Sequence, residues 1–421
     1  MMTAVGYCIT QFSTRMVAVS GLYSYTVKGL GPVPGIAAGW SLVIGYAAAA
    51  MASALGAASY LATLLGRVGV PAGKPVIAGL SVLVGGAALI LMTRGIRLSA
   101  RISLAVELFA IVVAGVVLMI AFGGAVTGSA ASSKTVADAP HSALGFALVL
   151  AITSYVGFES ASTVAREAQR PFVTVTRAIR WTPLALGALY TFAAVLQTTG
   201  TIQTRTGSTP IVLSLPDSAD TLAGALSVAM EVGITASWIA CVIGSTTALS
   251  RTLFAMGREG LLPDALGHAH PRYRTPHVAL SVAMPVIVAV PVAYLFAADS
   301  SRDVLIGLLA VSAHGYIVAY LLVCLATPAF LRRIGELTTV PLIVGLATAV
   351  TMIAIIIWAA LSVASPVWIA TAVYSALLAL GLAAFLVRRR RVPDLAERVG
   401  VFDETVAGDV FADYNPWEVR R

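Results

Sequence analysis

The sequence predicts an all-α polytopic membrane protein, on the basis of its composition and its long apolar runs. Of its 421 residues, 58% are hydrophobic and only 11% are charged, and the mean hydropathy is +0.91. Soluble domains carry about 25% charged residues, so most of this surface is expected to face lipid. At roughly 20 residues for each membrane-spanning helix, the apolar runs divide into about eleven segments.

The apolar runs follow one another with short polar connections. The first, 1–11, is too short to cross a bilayer alone, and 17–31 forms a glycine- and tyrosine-rich connection. The stretch 148–171 begins as an apolar run and is then interrupted by polar residues. The uninterrupted runs are 33–61, 75–93, 102–123, 181–200, 222–256, 278–297, 304–330, 340–363 and 367–387.

The positive charges predict how the chain is oriented in the membrane. The net charge is +8, and loops rich in arginine alternate along the chain with loops poor in basic residues. Short basic loops stay on the cytoplasmic side, so the alternation predicts a cytoplasmic C-terminus in a cell membrane and an outside N-terminus. An outside start without a signal peptide predicts a further N-terminal helix in the native protein. We expect a transmembrane domain at 1–387 and a flexible cytoplasmic tail at 388–421.

The interrupted stretch 148–171 is the strongest functional signal. Gly157 and Glu159 fall where lipid-depth sequence is expected. Irregular backbone and a carboxylate are tolerated at that depth only where protein or a water-filled cavity surrounds them. Broken helices of this kind present helix ends to charged substrates in secondary transporters, so the stretch predicts the floor of a substrate cavity. The alternative is a kinked structural helix whose Glu159 pairs with a neighbouring helix.

Other polar residues within the apolar runs have both functional and structural interpretations. Glu107 and His314 are candidates for proton coupling, as is Glu159. Glu107 would otherwise pair with an arginine or a hydroxyl, and His314 would otherwise be a hydrogen-bonded structural histidine. Glu231 lies towards the outer half of its run and is expected to reach the interface.

The sequence predicts no cofactor, no metal and no nucleic-acid partner. Its three cysteines lie in apolar segments without metal-ligand spacing. His268, His270 and His277 share one loop, but no cysteine or carboxylate pair completes a metal site there. The basic loops alternate with the spans, so we attribute the positive charge to topology rather than to nucleic-acid binding. No phosphate-binding loop or nucleophile motif appears, and an enzyme is not expected.

Motifs along nearly the whole chain resemble those of the amino acid–polyamine–organocation permeases. The matching segments are SGLYSYTVKGLGPVPGIAAGW (20–40), GFESASTVAREAQRP (157–171), SRTLFAMGREGLLP (250–263) and HPRYRTPHVAL (270–280). The resemblance implies an inverted five-helix-repeat transporter fold with two additional helices. The family's first helix, which is also broken, has no counterpart in this sequence.

The resemblance also implies which residues bind substrate. A cavity would be built partly from the interrupted stretch and partly from the run 222–256. The substrate-binding residues implied in this way are Thr153, Ser154, Val156, Gly157, Phe158, Glu159, Ser245 and Thr246.

We therefore predict a secondary active transporter that moves an amino acid or related amine across the membrane by alternating access. Ionisable candidates without a clear sodium cage favour proton coupling. The alternatives are an amino acid exchanger and a non-transporting relative or fragment that acts as a binding or partner protein. The substrate, the coupling ion and the oligomeric state stay open at this point.

Overall fold

A computed structural model of the chain describes residues 1–18, 20–126, 148, 151–168, 170–198, 203–205, 212–214, 221–273, 275–361 and 365–400. Within these residues, nine helices are long and apolar enough to cross a membrane. The all-α polytopic fold predicted from composition is therefore confirmed. The sequence suggested about eleven segments. Two of the expected segments are not among these nine. The first run forms a helix of only 12 residues, and the described part of the interrupted stretch contains a turn and a 3-10 helix over 158–167.

Helices account for nearly all of the described secondary structure. There are two 3-10 helices in the described residues. Phe158–Glu167 lies within the interrupted stretch, and Asp264–Gly267 lies between the helices that end at Arg258 and begin at His277. The α-helices are α1 (Met2–Ser13), α2 (Leu22–Leu30), α3 (Pro32–Gly66), α4 (Lys74–Thr93), α5 (Ile96–Val126), α6 (Pro171–Thr198), α7 (Thr221–Arg258), α8 (His277–Ala297), α9 (Ser301–Arg333), α10 (Thr339–Leu361), α11 (Ser365–Arg391) and α12 (Leu395–Arg398).

Helix α3 forms the centre of the bundle, packed between α7 and α9. Of its most apolar window, 94% is buried, against 33% for α7 and 67% for α9. Small residues allow this close packing. A Cβ atom added to Gly315 of α9 would lie 2.5 Å from the Ser41 carbonyl oxygen, and one added to Gly56 would lie 2.7 Å from Trp238 of α7. The core therefore depends on glycines that let the backbone of one helix and an aromatic ring of another approach closely, which larger side chains would prevent.

Several element boundaries differ from those expected. The connection 17–31 contains α2, and α6 begins at Pro171 rather than at 181. Proline is favoured in the first turn of a helix, where its missing N–H has no acceptor to lose. The polar loop 201–220 contains two strands, Gln203–Arg205 and Val212–Ser214, which pair antiparallel with Gln203 opposite Ser214.

Long-range polar contacts tie the helices together at both ends of the bundle. At the predicted cytoplasmic end, Arg15 pairs with Glu336 at 2.7 Å. At the opposite end, Arg67 pairs with Glu231 at 2.5 Å, which joins α3 to α7. Glu231 is only 2% exposed, so neighbouring helices cover it, and its expected position near the interface stays a prediction. Hydrogen bonding to Glu231 raises the pKa of the Arg67 guanidinium, which lies just beyond α3.

The chain beyond α11 returns to the bundle. The helix α11 ends at Arg391, and Leu395 and Val399 beyond it are buried. The Gly400 N–H donates to Oε1 of Glu259 at 2.8 Å, and Glu259 itself is 3% exposed at the end of α7. The first part of the predicted tail therefore packs on the predicted cytoplasmic end, while 401–421 lies outside the described residues.

Candidate functional site

The interruption in 148–171 is a break in the helix built around Gly157. An α-helical turn ends at Thr153, and the Tyr155 N–H then donates to the Ile152 carbonyl at 3.0 Å, which closes a tight turn. Gly157 follows with φ +102°, a left-handed conformation that glycine adopts without the steric penalty of a Cβ atom. The chain continues as the 3-10 helix Phe158–Glu167. The sequence predicted this break from the same glycine.

The Glu159 carboxylate lies next to the break and is fully buried at 0% exposure. The Tyr46 hydroxyl of α3 donates to Oε1 at 2.9 Å, and the Tyr320 hydroxyl of α9 donates to Oε2. The Gly157 N–H also donates to Oε2, at 3.1 Å. We call these four residues the Glu159 clamp. Because a buried carboxylate needs such donors to compensate for lost hydration, the clamp fastens the break to α3 and α9.

Aromatic rings surround the clamp. The rings of Tyr46 and Tyr316 meet edge to face with centroids 5.3 Å apart, and Tyr316 lies 5.9 Å from Tyr320. Phe158 packs 5.7 Å from Tyr320. Glu159 is thus enclosed by phenols and apolar rings, a setting in which each hydrogen bond to its charge is stronger than in water.

The other predicted residues of the break lie around Gly157. Thr153 and Val156 are half-buried, whereas Ser154 is exposed. The Ser154 carbonyl accepts a hydrogen bond of 2.6 Å from the Tyr190 hydroxyl of α6. The break leaves backbone groups without partners inside the helix, and here a side chain pairs one of these carbonyls. Backbone groups at membrane depth need such partners.

Helix α7 carries the other predicted substrate residues, Ser245 and Thr246. Ser245 is half-buried, and its hydroxyl lies 3.7 Å from the Cys241 thiol. Thr246 is 0% exposed, and its hydroxyl has no hydrogen-bond partner among the described residues. A buried hydroxyl without a partner is costly and calls for an explanation such as a ligand or a water molecule.

The packing of α3 against α7 shows the level at which Thr246 lies. Gly39 meets Met256 and Gly56 meets Trp238, so the two helices run antiparallel. Between these two contacts, Thr246 lies along α7 at a level within about one turn of Tyr46 on α3. The structure therefore brings the α7 residues to the same level as the Glu159 clamp.

Glu107 lies between α5 and α7. The Ser237 hydroxyl donates to its carboxylate at 3.2 Å and 3.4 Å, and Glu107 is half-buried. This contact matches the structural alternative of a bond to a neighbouring hydroxyl. The role of Glu107 in proton coupling stays a prediction.

His314 has partners on both ring nitrogens. Nδ1 lies 2.7 Å from the Ala310 carbonyl oxygen and Nε2 lies 2.9 Å from the Thr371 hydroxyl of α11. A ring that donates from Nδ1 and accepts at Nε2 is neutral and satisfied. At 3% exposure, His314 therefore fits the structural alternative, and its role in coupling also stays a prediction.

The histidines of the α7–α8 connection do not form a metal centre in the described part of the chain. Nδ1 of His270 accepts backbone N–H groups from Arg272 at 3.1 Å and Tyr273 at 3.3 Å, which orders the loop. Across the described residues, no group of three or more histidine, cysteine or acidic side chains is arranged to hold a metal ion.

Sequence reasoning missed the partners of the carboxylates. Tyr46 and Tyr320 lie 113 and 161 positions from Glu159, and neither belongs to a motif that we had singled out. A partial signal existed, because each tyrosine interrupts a run of small and aliphatic residues in a helix.

The multi-pass helical bundle, the central break and its buried carboxylate define a membrane transporter fold. The chain matches the family model for amino acid permeases across residues 1–378, and it belongs to that family. This match confirms the resemblance to the amino acid–polyamine–organocation permeases.

Relatives within the family have different substrates in their names. The chain is 26% identical over 291 residues to the branched-chain amino acid permease BcaP of Bacillus subtilis. This alignment covers 64% of this chain and 60% of that protein. It is 28% identical over 287 residues to the methylthioribose transporter of the same organism, with the same coverage. It is 24% identical over 270 residues to the low-affinity putrescine importer PlaP of Escherichia coli, covering 62% of this chain and 58% of the importer. The match thus spans 58–60% of these relatives' length.

Proposed function

We propose that this protein is a secondary active transporter that moves an amino acid or related amine across a cell membrane by alternating access, coupled to protons. The observation that carries the proposal is the Glu159 clamp at the helix break. It places a titratable group where one broken helix meets two long helices of the bundle.

Protonation of Glu159 would weaken the clamp for a simple reason. An ionised carboxylate can accept from all three of its neighbours, Tyr46, Tyr320 and Gly157. A protonated carboxyl must itself donate one hydrogen, so one of the phenols that donate to it would have to rotate and accept, and the hydrogen of that phenol would lose its acceptor. Binding of a proton therefore favours separation of the break from α3 or α9, which is the kind of two-state element that alternating access needs.

The proposed site combines the break with the facing part of α7. It includes Thr153, Ser154, Val156, Gly157, Phe158, Glu159, Ser245 and Thr246. Backbone groups released at Gly157 suit a charged ammonium or carboxylate, because half-helix ends carry partial charge. The named substrates of the relatives, which are branched-chain amino acids, putrescine and methylthioribose, define the panel to test.

The orientation is part of the same proposal. Helix α9 ends in Arg332 and Arg333, and α11 ends in four arginines. We assign these ends to the cytoplasm because short basic segments stay inside. The C-terminal tail from 388 is then cytoplasmic.

The test is uptake by the purified full chain in proteoliposomes. We expect acid outside the vesicles to drive accumulation of one member of the labelled panel, and a protonophore to abolish it. Uptake that ignores the pH gradient but responds to internal amino acid would contradict proton coupling and indicate exchange. Absence of uptake for the whole panel would contradict transport and favour the alternative of a non-transporting binding or partner protein.

A further inference from the structure

Tyr316 of α9 carries a buried hydroxyl that the fold does not use. The residue is 0% exposed, and its Oη has no hydrogen-bond partner among the described residues. Leaving such a group unpaired destabilises a protein, whereas phenylalanine would fill the same space without that penalty. The hydroxyl therefore needs an explanation outside the packing of the ring.

The ring of Tyr316 is held firmly between the two phenols of the clamp. It packs on the backbone of α3 so closely that a Cβ atom added to Gly45 would lie 3.0 Å from it. It also contacts the rings of Tyr46 and Tyr320, yet it donates no hydrogen bond to Glu159. Its position is fixed by the neighbouring rings, and its hydroxyl is left available.

The ring of Tyr316 lies beside the break, because it packs against both phenols that donate to Glu159. Two residues of the proposed site, Phe158 and Glu159, contact the same Tyr320 side chain that Tyr316 contacts. Tyr316 is therefore a neighbour of the proposed site, and its hydroxyl is a buried polar group that the described residues leave without a partner.

We propose that the Tyr316 hydroxyl contacts the polar head group of the substrate and contributes to its recognition. The inference rests on the proposed function. A phenol accepts from an ammonium group and donates to a carboxylate, so it suits either end of an amino acid or the ammonium group of an amine. A site that pairs a buried hydroxyl only when substrate is bound discriminates strongly against analogues that lack the matching polar group.

The test compares Tyr316→Phe with Tyr374→Phe in the full chain. Tyr374 is a matched control, because it is also buried but its hydroxyl already has a partner, the Ser41 hydroxyl at 2.8 Å. We measure the melting temperature in detergent, and we measure KM and the maximal rate in proteoliposomes for the panel member transported best.

For Tyr316→Phe we expect an unchanged or higher melting temperature. We also expect KM to rise about tenfold, because the substrate would lose one hydrogen bond to a charged group. For Tyr374→Phe we expect a lower melting temperature and an unchanged KM. A Tyr316→Phe protein with wild-type KM would overturn the inference and leave the proposed function standing. Failure of the wild type itself to take up or bind any panel member would overturn the proposed function, and this inference with it.

Discussion

At the scale of single residues, the site depends on a charge that the rest of the fold has made acceptable. The Glu159 carboxylate accepts hydrogen bonds from three donors, the hydroxyls of Tyr46 and Tyr320 and the Gly157 N–H. A hydrogen bond to a charged group contributes about 1.5–3 kcal/mol. Its neighbours are therefore matched to the ionised form. The same matching makes the residue responsive to protonation, which joins its structural and its proposed functional roles.

Replacing Glu159 with glutamine tests that response. The amide keeps the shape but loses the charge and offers only one acceptor oxygen. One of the phenols Tyr46 and Tyr320 must then accept from the amide and lose the acceptor of its own hydrogen, so the clamp is weakened permanently. We expect Glu159→Gln to reduce proton-driven accumulation by at least about tenfold. The measurement is uptake against external pH, with exposed Glu336→Gln as the control. A wild-type pH profile in Glu159→Gln would show that the coupling proton binds elsewhere, with Glu107 the next candidate.

The Arg67–Glu231 pair yields a stability prediction. Glu231 is buried, and Glu231→Gln removes the negative charge that faces the guanidinium of Arg67, whose hydrogen bond to the Ser227 hydroxyl stays. Arg67 retains access to water at 39% side-chain exposure, so we expect a moderate loss of about 1–2 kcal/mol and a lower melting temperature. The control is Glu336→Gln, which breaks the exposed pair with Arg15. Equal losses in the two variants would contradict a special role for burial.

At the scale of elements, the sequence predicts what is local and misses what is distant. The break at Gly157 and the long runs that became α3, α7 and α9 were predictable, because glycine, a carboxylate and apolar length are visible in a short window. The start of α6 at Pro171 was missed because its first turns are polar and basic, so hydropathy rises only further along. The partners of Glu159 were missed because only tertiary packing brings α3 and α9 to the break.

The crossing of α3 and α9 gives a prediction at this scale. A Cβ atom at Gly315 would lie 2.5 Å from the Ser41 carbonyl oxygen, and backbone cannot move aside cheaply. We expect Gly315→Ala to destabilise the protein by about 1–3 kcal/mol. The control is Gly86→Ala in α4, where no atom lies within 4 Å and the higher helix propensity of alanine should be neutral or stabilising. The comparison is by thermal unfolding in detergent, and similar shifts in both variants would show that the crossing tolerates the added methyl.

At the scale of the whole molecule, polar contacts close both ends of the bundle and the C-terminal chain covers one of them. The Glu259 carboxylate accepts from Tyr23 of α2 and from the Gly400 N–H, so α2, the end of α7 and the chain after α11 meet at one buried group. Docking of this chain adds burial of Leu395 and Val399. Any opening of the predicted cytoplasmic end that separates α2 from α7 must also disturb this contact.

The dependence of this docking on Gly400 can be measured directly. Gly400 has φ +81°, and an added Cβ atom would lie 2.6 Å from the Val27 side chain. Gly335 has a similar φ of +76° but open space around it, so Gly335→Ala imposes the backbone strain without the clash. We expect Gly400→Ala to increase amide hydrogen exchange across 395–400 by about tenfold or more and Gly335→Ala to leave that segment protected. Equal exchange in both variants and the wild type would mean that the segment is held by Leu395 and Val399 alone, and that the Glu259 contact contributes little to closing this end.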